Sequence, residues 1–143
     1  MLESKLNNLL SDYVVLSHKT QNFHWYVKGT GFFAAHAALE TLYDQTFDTI
    51  DEIAEQILMV GGKPVASLAE FAKLASIEEA PAQYIEPIEA YGILKADYEK
   101  VLAEVKDVKA AAEEAGVDLI AGAMDELIAS LSKSVWMLSQ SLL

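Results

Sequence analysis

The chain has 143 residues, 52% of them apolar, and carries ten basic side chains, all lysine, against 22 acids, for a net charge of −12. Arginine is the side chain best shaped to clamp phosphate and read base edges. Its absence argues against nucleic-acid binding, while the acidic balance favours drawing in cations. With no cysteine there is no disulfide framework and no thiolate site, so a metal here must sit on oxygen and imidazole, a set that suits iron, manganese or zinc. A mean hydropathy of +0.20 is high for a small monomer and suits a bundle that buries a further face against sister subunits. The opening MLESKLNNLL has neither a basic nor a long apolar leader segment, and no run of 18 apolar residues occurs; the expectation is a cytoplasmic protein with no membrane span.

Apolar residues recur at helical spacing almost throughout. Leu2, Leu6, Leu9, Leu10, Tyr13 and Leu16 predict a first helix running to about Tyr26, broken by Lys28-Gly29-Thr30-Gly31. A second helix is expected from about Phe32, with Leu39, Leu42, Tyr43, Phe47, Ile50, Ile53 and Ile57 as its buried stripe. Gly61-Gly62-Lys63-Pro64 stops it, because glycine relaxes the cap and proline cannot continue the turn. In the long connection over 63–86, Ser67-x-x-Glu70 is a capping box before a short apolar stretch, Phe71 to Ala75, which predicts a short extra helix. Pro87 suits the first turn of the third main helix. Its stripe is Ile88, Tyr91, Leu94, Tyr98, Val101, Leu102 and Val105, and Gly116 ends it. Asp118 is the expected N-cap of a fourth helix whose stripe is Leu127, Leu131, Val135, Leu138 and Leu142. The reading is all-α, one domain over 1–143: a ferritin-like four-helix bundle with a short extra helix in the connection between helices two and three. Helices two and three then run parallel.

Three histidines occur, His18, His24 and His36, and no Glu-x-x-His pair of the usual di-iron bundle is present. The second helix instead carries two i,i+4 pairs, His36 with Glu40 and Asp51 with Glu55. Alone, Asp51 and Glu55 read as a solvated helix face. Fifteen residues separate His36 from Asp51, roughly 22 Å of helix, so the pairs cannot share a metal within one chain. Two antiparallel copies of the helix change that. Positions 36 and 55, and positions 40 and 51, share one midpoint between residues 45 and 46. A two-fold axis there brings His36 and Glu40 of one copy toward Asp51 and Glu55 of the other, giving two sites per dimer. His24, at the end of the first helix, can close the same site.

Asn22-Phe23-His24-Trp25-Tyr26-Val27-Lys28-Gly29, Phe32-Phe33-x-x-His36-x-x-x-Glu40, Asp51-x-x-Ala54-Glu55-x-Ile57 and Gly61-Gly62-Lys63-Pro64 together resemble the Dps family, the mini-ferritins, over nearly the whole chain. The Ser132-Lys133-Ser134-Val135-Trp136-Met137 region shares the likeness. The resemblance implies a hollow twelve-subunit shell that oxidises Fe(II) at two-fold interfaces, with hydrogen peroxide as the typical oxidant, and stores Fe(III) as mineral. It assigns His24, with Asp51 and Glu55 of the partner subunit, to a tighter iron, and His36 with Glu40 to a second position, where the family often has Asp. It implies a redox-active role for Trp25, beside His24; packing at an interface is the plainer reading of that residue. Trp136, Tyr43, Tyr91 and Tyr98 fall on apolar stripes and are expected in the core, and His18 is expected to be an ordinary helix residue. The resemblance also places iron-entry pores near the start of the fourth helix, around Glu113, Glu114, Asp118 and Asp125; Asp118 reads equally well as a cap.

A nucleoid-compacting DNA binder is the rival function. Strong DNA binders of that family tend to carry a basic tail; here Lys5 is the only lysine in the first 18 residues, and the sequence closes on Ser141-Leu142-Leu143. Phosphate contact would have to overcome the repulsion of an acidic surface. The assembled protein is therefore expected to leave duplex DNA unshifted in a gel at neutral pH and moderate salt; a clear shift would mean that the surface has been misjudged or that bridging cations matter.

Overall fold

The computed structural model describes all 143 residues as five helices: α1 (Leu2–Tyr26), α2 (Phe32–Met59), α3 (Leu68–Leu74), α4 (Pro87–Ala115) and α5 (Asp118–Gln140). Four long helices form the bundle, and α3 is the short helix of the connection. Ser67 caps α3, its hydroxyl accepting the Glu70 N–H at 3.2 Å and donating to the Glu70 carboxylate at 3.0 Å. Gly116 adopts φ 71°. From there the Gly116 and Val117 N–H groups reach back to the carbonyls of Glu113 and Ala112, closing α4 in a Schellman turn that needs a left-handed residue. Val117, not Asp118, occupies the N-cap of α5. Asp118 is the first helical residue, where its charge still favours the helix dipole but caps nothing.

Cross-contacts give the directions. Residues 3, 17 and 24 of α1 meet residues 63, 43 and 36 respectively, so α1 and α2 are antiparallel. On the other side Lys5 pairs with Asp107, and Lys19 with Asp97 at 2.7 Å, so α4 also opposes α1. Helices α2 and α4 therefore run parallel. A short two-strand bridge, with Lys28 N–H donating to the Ile85 carbonyl and Ile85 N–H to that of Tyr26, ties the end of α1 to the start of α4.

Helix α1 is covered on several sides. Besides Leu6, Leu9, Leu10, Tyr13, Leu16 and Phe23 it buries Asn7, Asp12, Lys19, Thr20 and His24. Polar groups so placed must be satisfied inside the protein. Asn7 bonds Lys63 and Val65, and Asp12 accepts the Ser76 N–H, the Ser76 hydroxyl and the Ile77 N–H, so two α1 side chains hold both ends of the α3 segment.

Three expected core residues lie outside, among them Ile88, 59% exposed in the first turn of α4. Phe47 and Trp136 are 66% and 59% exposed: residue 47 lies on the face of α2 turned from the bundle, and Trp136 lies between the α5 positions, Leu131, Ser134 and Leu138, that face it. Tyr98 is fully buried, whereas Tyr43 and Tyr91 are half-buried.

Glu104 lies against Asp12. Burial first, then a hydrogen bond and the charge of Asp12, push its carboxyl up to about 9 from an ordinary 4.5. The unfolded chain releases this proton near its ordinary value while the folded chain keeps it, so Glu104 draws stability down as pH rises from about 4.5 to about 9. Glu104→Gln should gain stability relative to the parent progressively over that interval, read as the difference in urea midpoint. Asp12→Ala, which orphans the Ser76 and Ile77 N–H groups, should cost about 3 kcal/mol.

Candidate metal centre

The last turn of α1 delivers His24 and the second turn of α2 delivers His36, each to the same point. His24 is 6% exposed; His36 is half-buried. Their bonding is reciprocal: His24 Nδ1 donates to the His36 carbonyl at 2.7 Å, and His36 Nδ1 donates to the His24 carbonyl at 2.8 Å. A carbonyl can only accept, so each Nδ1 carries the proton and each Nε2 of the neutral ring is left with its lone pair. That is the arrangement of a metal-ligating histidine whose second nitrogen is held by a backbone oxygen. It also gives the His24 carbonyl, in the frayed last turn of α1, a partner it would otherwise lack.

The two imidazoles are stacked, centroids 3.7 Å apart and planes 15° from parallel. Glu40 is exposed and its Oε1 lies 3.9 Å from His24 Nε2. So His24, His36 and Glu40 are together. Asp51 and Glu55 lie three to four turns further along α2, both exposed, and no three His, Asp or Glu side chains of one chain converge as a metal site. Trp25 is 57% exposed, its ring edge-on to exposed His18 at 6.0 Å. At the base of α5, Asp118, Glu113, Glu114 and Asp125 are exposed, but Asp125 is bound by Lys109 at 2.7 Å.

Sequence reading missed the rings that flank the histidines. Phe32 stacks on His36 at 5.1 Å and 24°, and Tyr43 meets His24 edge-on at 5.3 Å and 66°. The signal was there: positions 32, 36 and 43 share one face of a helix.

A parallel pair of long helices joined by a crossing connection, with imidazole and carboxylate at one end, defines a ferritin-like protein, and the ferritin-like domain family matches residues 3–142. The chain is 42% identical to the DNA protection during starvation protein 2 of Bacillus anthracis over 93% of its own length and 90% of that protein's. It superposes with a TM-score of 0.95 and 36% identity on a Dps protein from Bacillus brevis, covering 99% of this chain and 95% of that one. A Dps protein from Vibrio cholerae, described as belonging to a broad superfamily of ferritin-like diiron-carboxylate proteins, gives 0.95 at 32% identity, with 99% and 89% covered. The chain belongs to the Dps family of ferritin-like proteins.

The carbonyl clasp yields a check independent of any metal. In the histidine 15N spectrum of the metal-free protein, His24 and His36 should both show a protonated Nδ1 and an unprotonated Nε2, with His18 averaging between tautomers; the opposite tautomer at either buried ring would undo the geometry.

Proposed function

We propose that this chain is the subunit of an iron-oxidising, iron-storing shell, with Fe(II) as substrate bound between two copies. The observation that carries the reading is the His24–His36 pair, whose two Nε2 lone pairs are presented together beside Glu40. Their 3.7 Å ring spacing is comparable with the roughly 3.5–4 Å between ions in two-metal sites.

Asp51 and Glu55 complete the site from the partner subunit. They share an exposed face of α2 with Phe47, Leu58 and Met59, which are 66%, 59% and 64% exposed. Acids set among exposed large apolar side chains suit a surface that is covered on assembly. The mirror spacing about residues 45 and 46 supplies the register. The tighter iron is then held by His24 with Asp51 and Glu55 of the partner subunit, and the second by His36 and Glu40. The diiron-carboxylate description of the Vibrio cholerae relative fits this donor set.

The chemistry follows from the ligands. Carboxylates stabilise the higher charge of Fe(III) and so favour loss of an electron. With hydrogen peroxide as oxidant, two Fe(II) each give one electron, the O–O bond breaks, and both oxygens leave as hydroxide or water, without a free hydroxyl radical. Fe(III) then hydrolyses to a ferric oxyhydroxide inside the shell. A chain at −12, repeated about twelve-fold, gives a field that draws in cations. Protection of DNA, which the name of the Bacillus anthracis relative records, comes here from removing Fe(II) and peroxide rather than from contact with DNA. A cytoplasmic setting suits this role, and no helix is long and apolar enough to cross a membrane.

Light scattering at neutral pH should give a mass near twelve times 15.6 kDa; a stable monomer that oxidises iron would overturn the shared site. His24→Ala and Asp51→Ala should each abolish rapid Fe(II) oxidation with helicity intact. Co-assembled, they should recover part of it, because a two-fold pair of unlike mutants contains one site with both defects and one with neither. Mixed shells verified by mass spectrometry that stay inactive would rule out ligands donated by two chains.

A further inference from the structure

Four rings follow one another at the mouth of the centre, Phe32, His36, His24 and Tyr43, with the two imidazoles in the middle. We propose that Phe32 and Tyr43 are positioning residues that brace the two imidazoles from outside, an inference that rests on reading His24 and His36 as iron ligands. Each imidazole is fixed within the chain at one nitrogen by one carbonyl. The terminal torsion of histidine is soft, so a single hydrogen bond leaves the ring free to tilt about it. Aromatic neighbours packed against the rings restrict that freedom. His36 is stacked with both His24 and Phe32, and His24 is stacked with His36 and meets Tyr43 in a T-shaped contact.

Packing against the core accounts for part of the placement of Phe32 but not for that of Tyr43. Tyr43 is half-buried and stands outside the cluster of buried apolar residues, and Phe32 is partly buried at its edge. Both sit where the backbone is well held. Phe32 N–H donates to the Gly29 carbonyl at 3.1 Å, and the Tyr43 carbonyl accepts the hydroxyls of Ser17 on α1 and Thr46 at 3.4 and 3.0 Å. Ser17 thus couples the Tyr43 turn of α2 to the helix that carries His24. The role asked of residue 43 is that of a ring, since face and edge contacts between aromatic groups need no hydroxyl.

The test compares Phe32→Leu and Tyr43→Leu, which remove a ring, with Phe32→Tyr and Tyr43→Phe, which keep one, all as assembled protein with helicity and thermal midpoint checked. In the metal-free state, histidine 15N spectra should show sharp protonated-Nδ1 signals for His24 and His36 in the parent and in the ring-keeping variants. The leucine variants should show broadened or mixed-tautomer signals. Titration with Co(II), a redox-silent probe of the iron positions, should weaken roughly three- to tenfold in the leucine variants and hold in the ring-keeping ones. Leucine variants with parental spectra and parental Co(II) affinity would overturn the bracing role. If the parent and His24→Ala bind Co(II) alike, the iron-ligand reading fails instead, and the metal-free spectra still decide whether the rings brace the imidazoles. Should Phe32→Leu not fold, the Tyr43→Leu and Tyr43→Phe comparison carries the test alone.

Discussion

The enclosure of α1 is the constraint on which the rest of this structure depends. A helix covered by α2, by α4 and by the α3 segment cannot leave polar groups to water, yet α1 carries Asn7, Asp12, Lys19 and His24 on its buried surfaces. Each must be answered by a different element. Asn7 and Asp12 are answered by the backbone and by Ser76 of the connection, Lys19 by Asp97 of α4, and His24 by the carbonyl of His36 on α2. Apolar packing supplies the bulk of the driving force but is non-directional. These polar contacts have fixed geometry, and an orphaned partner is costly to bury. They therefore select one register among the arrangements that apolar packing alone would tolerate.

The same device shapes the candidate metal centre. Nδ1 of each imidazole is met by main-chain oxygen, and the reciprocal pair of bonds locks two rings together and leaves Nε2 of each ring free of the clasp. The two candidate ligands are thus organised by the contact that joins α1 to α2. The site and the fold share a hinge point: the end of α1, where the bridge to Ile85 also fixes the chain.

One chain nevertheless gathers only three of the five donors proposed for iron. His24, His36 and Glu40 gather at one end of α2, and Asp51 and Glu55 stand three to four turns away among exposed apolar side chains. That separation is a property of a straight helix, and pairing with a second copy removes it. Phe47 and Trp136, exposed on α2 and α5, would suit the same surface.

The sequence by itself determined the helices, their ends and the class of bundle. Periodicity, the Ser67 capping box, Pro87 and the glycines at 61, 62 and 116 act over a few residues, and those interactions are local enough to be read in a line. The spacing of His24, His36, Glu40, Asp51 and Glu55 was legible for the same reason, because helical rise converts position into distance. Only the tertiary structure decided which faces met. It buried Asp12 and Lys19, which no sequence pattern singled out, and turned Phe47 and Trp136 outward. It made Val117 rather than Asp118 the N-cap of α5, because the Gly116 turn had already committed the preceding backbone. It also placed Phe32 and Tyr43 against histidines from two different helices. Burial, ring stacking and the choice of tautomer depend on groups far apart in the chain meeting in space, and no short-range pattern encodes that meeting.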